Sequence, residues 1–226
     1  MDFSDLRQQG VPQYIADYFQ GKNITKLNPA QEKAVKAGIL DGNNMLVCTP
    51  TGSGKTAIAT ILIGKVLETR RGSKVVYLVP LRALANEKFK EYKAVFKDMP
   101  YRVALSIGDM DSPSTWLESY DLIITTVEKL DSLIRHHCPW LSSVSTIIVD
   151  EIHLLNDISR GPTLEVLLTI LRQILKDVQI IGLSATIGNP EELAEWLDAN
   201  LVIDDWRPVT LYKGVYTQGI IEFDQN

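Results

Sequence analysis

Short runs of aliphatic and β-branched residues alternate with longer amphipathic segments along most of the chain. Runs that are apolar at nearly every position are typical of strands covered on both faces, as in parallel sheets. Seven runs fit this description, at residues 45–48, 74–79, 102–107, 122–125, 146–149, 179–183 and 201–203. Because helical segments separate the runs, we predict an α/β fold built from parallel βαβ units.

The helix predicted after Gly161 has the clearest periodicity. Pro162 suits the first turn of a helix, where no backbone N–H is needed. Aliphatic residues then recur at spacings of three and four, which places them on one face that we expect to pack on the sheet; they are Leu164, Leu167, Leu168, Leu171, Ile174 and Leu175. Another helix is predicted to begin at Pro29 and to run to about Leu40.

Composition indicates a globular domain without the net positive charge of a protein that coats nucleic acid. Apolar residues make up 45% of the 226 residues, which is ample for a buried core. Lys and Arg total 23 against 28 Asp and Glu, so any contact with nucleic acid is expected to be local. The two cysteines, Cys48 and Cys138, have neither the spacing of a zinc site nor that of a disulfide framework.

The hydropathy pattern favours a cytoplasmic location and no membrane partner. No apolar run reaches the roughly 18 to 20 residues that a bilayer span needs. The first residues also lack the basic and apolar regions of a signal peptide. We therefore expect a soluble protein that is not exported.

A phosphate-binding loop is predicted directly after the first strand. The sequence there is Thr49-Pro50-Thr51-Gly52-Ser53-Gly54-Lys55-Thr56. Small residues allow successive backbone N–H groups to point into one concavity, and Lys55 adds a positive charge for the β and γ phosphates. Thr56 offers a hydroxyl to magnesium. The loop predicts a bound nucleoside triphosphate.

A second motif, Asp150-Glu151-Ile152-His153, directly follows the run at 146–149. Asp150 is placed to hold the metal through its water shell, and Glu151 to orient or deprotonate the attacking water. Either motif alone is compatible with an ordinary flexible loop or solvated turn. Together, each at the end of a strand, they predict a nucleotide-triphosphate motor or part of one.

Polar clusters follow five of the predicted strands, at residues 49–56, 80–82, 125–129, 150–153 and 184–186. In an open parallel sheet, ligands bind beyond the carboxyl ends of the strands. Since all five clusters fall at such ends, we expect one large active surface along a single edge of the sheet.

The order of these motifs resembles the first RecA-like lobe of a superfamily 2 helicase. Leu27-Asn28-Pro29-Ala30-Gln31 is similar to the Q motif and Pro80-Leu81-Arg82-Ala83-Leu84-Ala85 to motif Ia. Gly108-Asp109 and Thr125-Thr126-Val127-Glu128-Lys129 resemble the next strand-contacting motifs. Asp150 to His153 resembles motif II of the DExH type, and Ser184-Ala185-Thr186 resembles motif III.

The resemblance implies a RecA-like three-layer αβα P-loop NTPase domain with a mainly parallel sheet of about seven strands. Residues 1–28 are then an N-terminal helical segment leading to the Q motif, and residues 29–204 are the first RecA-like ATPase lobe. Residues 205–226 are expected to form an extended tail towards a second lobe that this chain lacks.

Finer similarities narrow the resemblance to archaeal fork-repair DNA helicases of the Hjm type, relatives of human HELQ in the Ski-like branch. They lie in the segments 128–135, 153–155, 160–165 and 205–209. The resemblance implies ATP and magnesium as cofactors, single-stranded or forked DNA as partner, and 3′ to 5′ translocation. It also implies association with the nucleoid, and a lobe that binds nucleotide but does not unwind DNA alone.

The resemblance assigns roles residue by residue. Lys55, Asp150, Glu151 and His153 are the expected catalytic residues, with Thr56 and Asp150 at the metal. Gln31 is expected to read the adenine edge, although a solvated residue in the first turn of a helix is the alternative. Ser184, Ala185 and Thr186 are expected to couple phosphate state to the strand, and a capped turn before Pro190 is the alternative.

Contacts to DNA are expected from Pro80, Arg82, Gly108, Thr125, Thr126 and Lys129. Val127 stands where similar helicases usually have Ser, and Thr49 stands where the general phosphate-loop pattern has Gly or Ala. Three alternatives stay open from the sequence. They are an RNA helicase lobe of the same branch, a non-hydrolytic nucleotide-gated binding module, and a small-molecule kinase, which the DExH box and the Ser-Ala-Thr motif disfavour.

Overall fold

A seven-stranded sheet forms the centre of the computed structural model, which describes residues 1–108, 114–212 and 214–223. Every neighbouring pair of its strands is parallel, and their order is β3-β4-β2-β5-β6-β1-β7. The strands are β1 Met45–Cys48, β2 Lys74–Val79, β3 Val103–Ser106, β4 Leu122–Thr126, β5 Val144–Val149, β6 Gln179–Ser184 and β7 Asn200–Ile203. The predicted parallel α/β fold is confirmed, with strand bounds within two residues of the sequence prediction.

Helices cover both faces of this sheet. They are α1 Gln13–Gly21, α2 Pro29–Lys36, α3 Lys55–Thr69, α4 Arg82–Val95, α5 Val127–Arg135, α6 Gly161–Ile174 and α7 Pro190–Leu197. Short 3-10 helices lie at Phe3–Gln9, Ile39–Asp41, Thr115–Ser119, Pro139–Ser143 and Ile152–Asn156. Among the described residues, no helix combines the length and the apolar character that a membrane span requires.

Alternate residues of each strand enter two separate apolar cores, which produces three layers. In β1, Met45 and Val47 pack in the core that includes residues of α1, α3 and α4. Leu46 and Cys48 pack in the core that includes residues of α5, α6 and α7. Successive side chains of a strand point to opposite faces, so burial on both faces explains why these strands are apolar at almost every position.

Two helix predictions need correction. The helix that begins at Pro29 ends at Lys36 rather than near Leu40, because the chain turns at Gly38, whose φ of 88° is left-handed. In α6, the predicted leucines are buried, but Ile174 is 51% exposed. The helix ends at Ile174, and the non-helical backbone of Leu175 places that side chain in the core instead.

The segment predicted as an extended tail contains an antiparallel hairpin of β8 Gly214–Thr217 and β9 Ile220–Phe223. Its turn residues, Gln218 and Gly219, have φ values of 49° and 86°. Positive φ at both central positions is the backbone of the type I′ turn, whose twist matches that of two antiparallel strands.

Candidate nucleotide-hydrolysis site

The phosphate loop joins β1 to α3 and is closed by its own polar groups. The hydroxyls of Thr49 and Ser53 lie 2.6 Å apart in the interior of the loop. Gly52 and Gly54 have φ values of 82° and 86°, a left-handed conformation that glycine adopts without steric cost. The hydroxyl of Thr49, the unusual residue of this loop, therefore braces the turn.

Lys55 is the first residue of α3, and its ammonium lies back over the loop. Its Nζ donates to the carbonyl oxygen of Thr49 at 2.8 Å and to that of Pro50 at 3.1 Å. Burial lowers the pKa of Lys55, while the charges of Glu151 and Asp150 act in the opposite direction. The expected catalytic lysine thus lies in the electrostatic field of both motif II carboxylates.

The Q motif holds the phosphate loop from outside. Asn28 and Gln31 form a reciprocal capping box at the start of α2. The amide of Asn28 also donates to the carbonyl oxygen of Ser53 at 2.7 Å, and that of Gln31 to the carbonyl oxygen of Gly54 at 3.3 Å. Sequence reasoning missed the role of Asn28, although Asn-Pro-x-Gln signals a capping box. Gln31 is buried, with both ends of its side-chain amide engaged.

Motif II occupies the turn after β5. The hydroxyl of Tyr77, on the neighbouring strand β2, donates to Asp150 Oδ2 at 3.0 Å and fixes this carboxylate. Glu151 has a φ of 54° and a ψ of 42°, a left-handed conformation that is uncommon for residues other than glycine. Its backbone N–H donates to Asp150 Oδ1 at 3.1 Å. Backbone strain of this kind persists where the surroundings impose it, typically at functional sites.

His153 connects motif II to motif III. Its Nδ1 lies 3.3 Å from the backbone nitrogen of Ala185 and 3.3 Å from Glu151 Oε2. An unprotonated Nδ1 accepts from the N–H of Ala185, whereas a protonated Nδ1 donates to Glu151. The two contacts therefore require different proton positions, and the imidazole bridges the two motifs. Ser184 is buried at the end of β6, and Thr186 is exposed.

The residues predicted to contact a DNA strand separate into two groups. Arg82 is exposed at the first position of α4, and Pro80 and Gly108 are half-buried at their strand ends. Thr125, Thr126 and Lys129 are all at most 3% exposed. The Thr125 hydroxyl donates to the Ser106 carbonyl at 2.7 Å. The structure thus places this second group beneath the surface. Asp109, which follows Gly108 in the motif identified from the sequence, lies outside the described residues.

Motif II and the strand-contacting motifs meet in one narrow cleft. Pro80, directly after β2, and Glu128, in the first turn of α5 after β4, line it, and Asp150, Glu151 and Arg160 complete its polar lining. The sheet order explains the meeting, since β2 lies between β4 and β5. Phosphate-loop, motif II and motif Ia residues therefore share the carboxyl edge of the sheet, as predicted from their positions after strands.

A family model described as DEAD/DEAH box helicase matches residues 28–193, from the Q motif through motif III. The chain belongs to the DEAD/DEAH box helicase family. This helicase chain is 51% identical over 221 residues to a Pyrococcus horikoshii protein named "ATP-dependent DNA helicase Hel308", covering 98% of the chain and 30% of the relative. It is 52% identical over 214 residues to the protein of that name from Methanocaldococcus jannaschii, covering 92% and 18%.

A solved helicase structure has a similar fold. This helicase chain superposes with a TM-score of 0.77 and 26% identity on the structure described as "Crystal Structure of DUF1998 helicase MrfA bound to DNA". The superposition covers 87% of this chain and 30% of that one. The predicted RecA-like fold and the resemblance to archaeal DNA helicases are confirmed. The chain spans less than a third of the length of each of these relatives.

Proposed function

We propose that this chain is the ATP-binding lobe of an ATP-dependent DNA helicase that translocates 3′ to 5′ on single-stranded DNA at replication forks. One observation carries the proposal. The phosphate loop, with Lys55 across it, shares a sheet edge with a motif II turn that presents Asp150 and the strained Glu151. Relatives named ATP-dependent DNA helicase support the choice of DNA, as does the DNA-bound helicase of similar fold.

Magnesium fits the residues at this site. The metal prefers oxygen ligands, and Thr56 supplies a hydroxyl and Asp150 a carboxylate. Both groups are held by a neighbouring side chain, Thr56 by Lys88 at 2.8 Å and Asp150 by Tyr77 at 3.0 Å. When bound, the metal neutralises charge on the phosphates. Glu151 then orients the attacking water, and Lys55 binds the phosphates.

We propose that DNA binds across the ends of β2, β3 and β4. Arg82 is exposed at the start of a 14-residue helix, so its guanidinium and the free N–H groups of the first turn are available to a phosphate. Contacts of this kind fix position without reading sequence. Forked DNA, association with the nucleoid, and completion of the motor by a second RecA-like lobe and further helicase domains belong to the same proposal.

The isolated chain is expected to bind ADP or ATP with magnesium and to show little DNA-stimulated turnover. In NTPases of this kind, an arginine that completes the transition state contributes about 10³ to 10⁵ in rate, and we propose that the second lobe supplies it. The measurement is ATP hydrolysis with and without single-stranded DNA, beside a nucleotide-binding titration. Strong DNA-stimulated turnover by the isolated chain would contradict the proposal that a second lobe completes the catalytic site. Absence of nucleotide binding would contradict the proposal that this chain is an ATP-binding lobe.

Gln31→Ala is expected to weaken ADP and GDP binding by a similar factor, about fivefold to tenfold. The buried amide of Gln31 supports the loop at Gly54, so its loss affects the phosphate site whichever base is present. The measurement is the ratio of the two dissociation constants in the original chain and in the variant. A loss confined to ADP would instead support the predicted adenine contact and contradict a role limited to the loop.

A further inference from the structure

Lys88 lies buried next to the hydroxyl that is proposed to bind magnesium. It lies in α4, and its Nζ donates to Thr56 Oγ1 at 2.8 Å. The same Nζ is 3.3 Å from Glu91 Oε2, one turn further along the helix. No sequence motif pointed to this residue, because a lysine in an amphipathic helix usually lies in solvent. Its position next to Thr56 therefore requires an explanation.

An ammonium and a magnesium ion bound at Thr56 would compete for this hydroxyl. Two cations that share one oxygen ligand lie within roughly 5 Å of each other, where like charges repel strongly even at an effective dielectric constant near 20. Glu91 gives the ammonium another acceptor close by, so Lys88 has a position to occupy when the metal binds. We propose that Lys88 is a positioning residue, a tethered cation that holds Thr56 before magnesium binds and yields to the metal.

The position of Lys88 in α4 links this exchange to the proposed strand-binding edge. Arg82 begins the helix, and six residues at a rise of about 1.5 Å each place Lys88 about 9 Å further along its axis. A second polar contact joins α4 to α3, the helix that contains Thr56, since the hydroxyls of Thr60 in α3 and Tyr92 in α4 are 3.5 Å apart. Thr60 also donates to the carbonyl oxygen of Thr56. Movement of Lys88 away from Thr56 would therefore remove one polar contact between α3 and α4, the helix that begins at Arg82.

The role of Lys88 rests on the proposed nucleotide site. The test measures how much magnesium the chain needs to bind nucleotide. A fluorescent ADP analogue is titrated at increasing MgCl2, and the midpoint of the affinity increase is recorded. Lys88→Met keeps the aliphatic stem and removes the charge, so we expect the midpoint to fall about fivefold. Lys90→Met, the same change at an exposed position of α4, is the control and should leave the midpoint unchanged.

A second variant changes the midpoint in the opposite direction. Glu91→Gln removes the charge that receives the ammonium, so Lys88 stays on Thr56 and the magnesium midpoint should rise. This variant decides the question if thermal unfolding shows that Lys88→Met is not folded. If the unsubstituted chain binds the analogue and the magnesium midpoint of Lys88→Met is at or above that of the unsubstituted chain, the role of Lys88 is overturned. The proposed nucleotide site then still stands. If the original chain does not bind the analogue at any magnesium concentration, the proposed function fails and the inference fails with it.

Discussion

Gly161→Ala is expected to lower the free energy of unfolding by about 3 kcal/mol. A Cβ added at Gly161 would lie 2.0 Å from the carbonyl oxygen of Leu155 and 2.8 Å from its carbonyl carbon. Both atoms are backbone, so no side-chain rotation relieves the clash. The chain must instead shift α6 away from the 3-10 turn Ile152–Asn156, which directly follows the motif II carboxylates.

The measurement is thermal unfolding followed by circular dichroism, where about 3 kcal/mol corresponds to a melting temperature lower by roughly 6 to 12 °C in a chain of this size. Gly21→Ala is the matched control, because a Cβ there meets nothing within 4 Å and the position is the last of a helix. Alanine is a better helix former than glycine, so the control should be neutral or slightly stabilising. Equal melting temperatures for both variants would contradict the close approach of α6.

Gly161 also shows where sequence reasoning reaches its limit. The sequence predicts a helix after Gly161, with Pro162 in its first turn, and that helix is present. The contact with Leu155 depends on how α6 passes the motif II turn, which is a tertiary arrangement without a local signal. The seven strands were predictable because burial on both faces leaves a continuous apolar run in the sequence itself.

The candidate site likewise has features that the sequence predicts and contacts that it does not. The phosphate loop and motif II follow strands, so their shared edge was predictable from order and spacing. The tether from Asn28 to Ser53 was not, because a capping box predicts where a helix begins but not what its side chains then contact. The burial of Lys129, which is 3% exposed, was not predictable from its charge. The orientation of α5 buries that lysine, and orientation of a short helix is set by packing.

Lys55→Met is expected to weaken binding of magnesium-ADP about 10-fold to 100-fold, since a hydrogen bond from an ammonium to phosphate contributes about 1.5 to 3 kcal/mol and tenfold corresponds to 1.4 kcal/mol. The measurement is a binding titration beside thermal unfolding without nucleotide. Lys65→Met is the matched control. Lys65 lies in the same helix, burial lowers its pKa too, and it donates to the carbonyl oxygen of Leu40 away from the phosphate loop. Its replacement should leave nucleotide affinity unchanged.

The nucleotide-free stability of Lys55→Met separates a lost ligand contact from a lost fold. Burial lowers the pKa of Lys55 below its ordinary value of 10.5, so folding disfavours the protonated amine. That destabilisation is fully present below the lowered pKa and disappears as the pH rises towards 10.5. At a pH below the lowered pKa, the melting temperature of the variant should therefore be equal to or higher than that of the unsubstituted chain. Any such difference in melting temperature should become smaller at alkaline pH. A large drop in melting temperature together with the lost affinity would show that Lys55 supports the fold instead.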